Sequence, residues 1–79
     1  PHPLPLLHAA QAVGAAIEDC IYVGDDQRDI DAARAAGMRS VVALWGYRGE
    51  GECPDSWGAD AQAAEPRELA SPAFWVRMR

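Results

Sequence analysis

Lysine is absent from the 79 residues, and the seven basic side chains are all arginines, scattered from Arg28 to Arg79 with only Arg77 and Arg79 close together. No basic run exists to track a phosphate backbone, and a net charge of −5 adds general repulsion toward any polyanion. Nucleic acid and an anionic membrane surface are therefore set aside as partners. No apolar run approaches the roughly 18 residues of a membrane span, and no signal-peptide core occurs. Cysteine is scarce. Cys20 and Cys53 have no metal-ligand spacing and read as free thiols of a reducing, cytoplasmic setting, with Cys20 a small buried hydrophobe. No internal repeat is visible, and no methionine stands at the start. An opening Pro1-His2-Pro3 is expected of a processed or truncated piece. A chain this short buries only about 60–65% of the surface it exposes unfolded, so its core is marginal unless a metal, a partner or further sequence contributes.

Hydrophobic content of 49% with 24% charged residues is nonetheless globular. Leu6, Leu7, Ala10 and Val13 recur at helical spacing after Pro5 and stop at Gly14. Cys20-Ile21-Tyr22-Val23 is a continuous apolar run ended by Gly24, the pattern of a parallel strand buried on both faces. A second helix is expected from about Asp29 to Ala36, with Ile30, Ala33 and Ala36 inward and Gly37 as its stop. Ser40 to Leu44 reads as a second buried strand. Arg48 to Gly58 reads as a loop, Ala59 to Ala64 as a weak third strand, and Pro66 to Ala70 as one helical turn. Tyr22 and Trp45 read as core aromatics. Trp57, Phe74 and Trp75 fall where no core is evident, as if they packed on sequence outside the chain. The alternation of helix and strand specifies an α/β fold, a partial Rossmann-like parallel sheet.

The chemistry concentrates in Val23-Gly24-Asp25-Asp26-Gln27-Arg28-Asp29. Asp25, Asp26 and Asp29 fall between a strand's carboxyl end and a helix's start, the edge where open α/β sheets bind ligands. Carboxylates gathered there repel one another, and a hard cation such as Mg2+ relieves that repulsion. Aspartate is also a favoured helix cap, so Asp25 or Asp26 could cap the helix while Asp29 and Asp31 serve as first-turn acids. The residues alone leave both readings open. Arg28 reads as a solvated charge, and His2 and His8 as surface residues.

With its surroundings the segment resembles the haloacid dehalogenase (HAD) superfamily of phosphatases, and within it the phosphoglycolate phosphatase group. Ile21-Tyr22-Val23-Gly24-Asp25-Asp26-Gln27-Arg28-Asp29 is similar to that family's last acidic motif. Ala32-Ala33-Arg34-Ala35-Ala36-Gly37-Met38 resembles its alanine-rich helix, and Val41 to Gly46 with Tyr47-Arg48 its next strand. Gly58-Ala59-Asp60 and Glu65-Pro66-Arg67-Glu68-Leu69 resemble its closing strand and short helix. The resemblance covers residues 1–70, the C-terminal part of a HAD core, with 71–79 as a tail.

The resemblance implies Mg2+ as cofactor, a small phosphorylated metabolite as substrate, and hydrolysis through an aspartyl phosphate. It also implies that Asp25 is a metal ligand and Asp29 a carboxylate orienting water, with Asp26 the third candidate. The family's nucleophile, its acid-base aspartate, its lysine and its substrate-selecting cap have no counterpart here. The chain alone is thus expected to be inactive. Its strand at residues 20–23 is expected to form an open edge, taken by the rest of the polypeptide or by self-association. The alternatives are an amino-sugar or other sugar phosphate as substrate, or a non-catalytic α/β interaction module.

Overall fold

The computed structural model describes residues 2–47, 49 and 53–78. Arg48, Glu50, Gly51 and Glu52 of the expected loop lie outside the described residues, as do Pro1 and Arg79. The helices and strands follow in the order α1 (Leu4–Ala12), β1 (Ile21–Gly24), α2 (Gln27–Ala36), β2 (Arg39–Ala43), β3 (Ala61–Ala63) and α3 (Pro72–Val76). Single 3-10 turns at Ile17–Asp19, Leu44–Gly46, Pro54–Trp57 and Pro66–Ala70 link them. The strands form one parallel sheet in the order β1-β2-β3. Gly24 pairs with Val42 in the first ladder, and Ala43 with Ala63 in the second.

β2 is central, and its side chains alternate between two covered faces. Val42, fully buried, packs with Ile30 of α2 and with Trp57. Val41, also fully buried, packs on the other face with Ala63, Phe74 and Met78. Strand residues that point alternately up and down must find an apolar cover on each side, and a continuous apolar run does so only in a sheet covered on both sides. Phe74 and Met78 supply one of these covers. The tail that the sequence pattern does not place is therefore folded as α3, with the Trp75 indole donating to the Leu69 carbonyl at 2.7 Å. Arg39 also donates to the carbonyl of Met78.

α2 begins two residues before the expected Asp29 because Asp26, not a later residue, takes the cap position. It ends at Gly37, whose φ of 77° is a left-handed conformation that a side chain would disfavour. Ile30, Ala33 and Ala36 are buried as the spacing requires.

Several burial expectations are corrected. Val13 is 76% exposed and Leu7 sits on the surface, because only Leu6 and Ala10 of α1 turn inward, Ala10 buried and Leu6 packed on the Ala33, Ala36 and Met38 cluster. Val23 is exposed and Ile21 and Tyr22 are only half-buried, since β1 is an edge strand with no partner on its outer side among the described residues. Cys20 is half-buried and Cys53 exposed, both as free thiols. Trp45 is exposed too, whereas Trp57 and Phe74 are buried within the chain itself. An open apolar groove of about 270 Å³ runs between α1 and the start of β1, lined by Leu6, Ala10, Cys20, Ile21 and Met38 among others. No helix of the described residues is long and apolar enough to cross a membrane.

Candidate metal centre

β1 ends at Gly24 and α2 starts at Gln27, so Asp25 and Asp26 form the whole of the connection between them. So short a turn leaves backbone amides without helical or sheet partners. The aspartates divide that task. The Asp26 carboxylate accepts from the amide of Arg28 at 3.0 Å and caps α2. Asp29, one turn on, reaches back so that its Oδ2 accepts from the amides of Asp25 at 3.1 Å and Asp26 at 3.2 Å. Together these bonds make a reciprocal capping box. The Arg28 guanidinium is a further 3.9 Å from Asp26 and almost wholly exposed, the solvated charge expected of it.

The Asp25 side chain is treated differently. It is exposed and carries no hydrogen bond or ion pair among the described residues. It stands beside Gly46, in the 3-10 turn that follows β2. The three aspartates thus differ: Asp26 is the cap, Asp29 braces the loop, and Asp25 presents its oxygens free of side-chain partners among the described residues, at the carboxyl edge of the sheet. Among the described residues no group of three or more His, Cys, Asp or Glu side chains is placed to hold an ion. What the loop offers a hard cation is one unencumbered carboxylate, with a second held close behind it.

Comparison with known proteins agrees with this architecture. A family model of HAD-hydrolase-like proteins matches residues 1–70. The chain belongs to the HAD-like hydrolase family. This HAD-like chain is 57% identical over 75 residues to a phosphoglycolate phosphatase of Xylella fastidiosa, covering 95% of the chain and 33% of that protein. Against a phosphoglycolate phosphatase of Xanthomonas campestris the identity is 60% over 75 residues, covering 95% of the chain and 34% of the relative. Against an N-acetylmuramic acid 6-phosphate phosphatase of Pseudomonas aeruginosa it is 39% over 69 residues, covering 87% and 30%. The chain therefore spans about a third of the length of the curated relatives it matches. No solved structure matches it significantly.

Within this HAD-like loop the sequence reading missed Tyr22. Its phenol is pushed above its ordinary pKa by burial first, then by the negative charge of Asp29 and of Asp25, and by a hydrogen bond to Asp29. All four effects favour the neutral phenol, which donates where a phenolate would repel. An alternating-face argument could have found it, since Tyr22 and Gly24 lie on the face of the sheet that α2 covers.

The division of labour makes a prediction about stability. Asp26→Ala removes the cap and should cost about 0.5–2 kcal/mol, whereas Asp26→Asn, whose side chain also caps, should cost only a few tenths. Urea melts of the two variants check the difference.

Proposed function

We propose that the chain is the part of a Mg2+-dependent phosphomonoester hydrolase that contributes the acidic metal loop, with phosphoglycolate as the substrate. The observation that carries the reading is the split among the three aspartates, which leaves the Asp25 carboxylate free at the sheet edge where such folds bind ligands. A donor set of this kind fits Mg2+, which is usually held by one or two carboxylates together with phosphate oxygens and water. Asp25 would hold the ion directly, and Asp29 would act from behind it, keeping the loop in shape and orienting water. Asp26 is the least involved, its carboxylate being occupied by α2. When bound, the ion offsets the repulsion between a phosphate ester and an attacking carboxylate. The phosphoryl group would pass to an aspartate outside this chain and then to water.

Identity of 57–60% to phosphoglycolate phosphatases supports that substrate. The 39% identity to an N-acetylmuramic acid 6-phosphate phosphatase keeps an amino-sugar phosphate as the second reading. The outer edge of β1, unpaired among the described residues and beside an apolar groove, would be taken by a further strand of the longer polypeptide or by self-association.

The test is a Mg2+ titration of the full-length polypeptide, followed by amide shifts at Gly24 to Asp29. Shifts centred on Asp25, together with turnover of p-nitrophenyl phosphate that needs Mg2+, are expected. The isolated 79-residue chain should show no turnover with or without the ion. A flat titration would favour a non-catalytic module in which the loop does nothing but cap a helix.

A further inference from the structure

Two glycines touch the site, and neither is there for backbone freedom. The left-handed glycines of the described residues are Gly14, Gly37 and Gly58. Gly24 and Gly46 have φ values that any residue adopts, so what they provide is space. A Cβ on Gly24 would sit 2.8 Å from Oδ2 and 2.9 Å from Cγ of Asp29. A Cβ on Gly46 would sit 3.0 Å from both Cβ and Cγ of Asp25, and closer still to its Oδ2. Gly24 belongs to the acidic segment itself. Gly46 does not, and comes from the turn after β2.

We propose that Gly46 is a positioning residue for the acidic loop: its missing side chain leaves the slot in which the Asp25 carboxylate is held toward the ion. This rests on the reading of Asp25 as a metal ligand. The slot has a wall that resists moving. The register that pairs Gly24 with Val42 brings both strand ends level, and the 3-10 turn Leu44–Gly46 then folds directly against Asp25. That turn is closed by the Tyr47 amide donating to the Leu44 carbonyl at 3.2 Å. Tyr47 in turn packs edge-on against buried Trp57, with ring centroids 5.5 Å apart and planes at 74°. Because the backbone at Gly46 is anchored on that side, a methyl group there turns the Asp25 carboxylate out of its slot, and its close approach to the Asp25 Cβ, which no side-chain rotation relieves, pushes the loop slightly away as well. A glycine in a helical turn is also a poorer former than alanine. Gly46 therefore gives up local stability where the carboxylate needs room, as functional sites often do.

The experiment uses the full-length polypeptide as wild type, G46A and D25N. Mg2+ affinity is read from amide shifts at Asp25 and Asp26 and by calorimetry, and folding from thermal melts in metal-free buffer. G46A should weaken Mg2+ binding by about tenfold or more, the range seen when support behind a ligand is removed. Its melting temperature should stay the same or rise. Binding within about twofold of wild type would overturn the proposal. Should G46A instead lower the melting temperature, the substitution is repeated on a D25G background, where no side chain remains to clash. Recovery there supports the slot, and an equal loss in both backgrounds overturns it. D25N separates the two readings: weak D25N with normal G46A removes only the role of Gly46, whereas normal binding by D25N removes the ligand assignment beneath it.

Discussion

Asp25→Asn, introduced into the full-length polypeptide, is expected to lower Mg2+-dependent turnover of a phosphate monoester by about 10²–10³-fold, the size of loss typical when one preorganised electrostatic group is removed from a reacting centre. The substitution is nearly isosteric and breaks no hydrogen bond of the Asp25 side chain among the described residues, so the fold has no reason to suffer. Removing one of several clustered negative charges should leave the metal-free melting temperature unchanged or raise it. Asp29→Asn should do less, about 10–100-fold, because an amide oxygen can still accept from one or both loop amides while its charge is gone. Asp26→Asn should do least, since a cap needs an acceptor and not a charge. The order Asp25, Asp29, Asp26 is the substance of the prediction. Steady-state kinetics at several Mg2+ concentrations reads it. Equal losses at all three positions would mean that the aspartates act as one undifferentiated cluster, contrary to their hydrogen bonding.

That order was only partly legible in the sequence. The segment's place between strand and helix was readable because the signals are local: an apolar run, Gly24, three acids within five positions, then alanines at helical spacing up to Gly37. Choosing the cap was not, because Asp25 and Asp26 are the same residue type and adjacent, and the choice depends on how sharply the chain turns after β1. Gly46 was hidden for a different reason. Its nearness to Asp25 is produced by the register of two strands, a relation between segments that no local pattern carries. The same holds for burial. Ile30, Val41 and Val42 are buried as their spacing requires. Val23 and Trp45 are exposed although their local pattern is that of a core, because β1 sits at the sheet's edge and Trp45 in a turn beyond its end.

The tail illustrates the converse case, and it supports the second large prediction. Pro72–Val76 is too short to show helical periodicity, and helices of that length form only when tertiary packing holds them. Phe74 provides that packing. It is 2% exposed against Val41 and Ala63, meets Trp75 edge-on with centroids 5.0 Å apart, and lies under the Arg77 guanidinium at 5.3 Å. Phe74→Ala should therefore cost about 3–5 kcal/mol, the usual loss for emptying an aromatic site in a core. A unit of this size has a total stability of roughly 4–12 kcal/mol, so the loss would consume about a quarter of it or more. Val76→Ala, two residues along the same helix but 55% exposed, should change stability by no more than about 0.5 kcal/mol. Urea melts of the two variants decide whether α3 covers the sheet or merely rests on it. A cost below about 1 kcal/mol for Phe74→Ala would detach the tail from the core, and Val41 would then need some other cover for that face of β2.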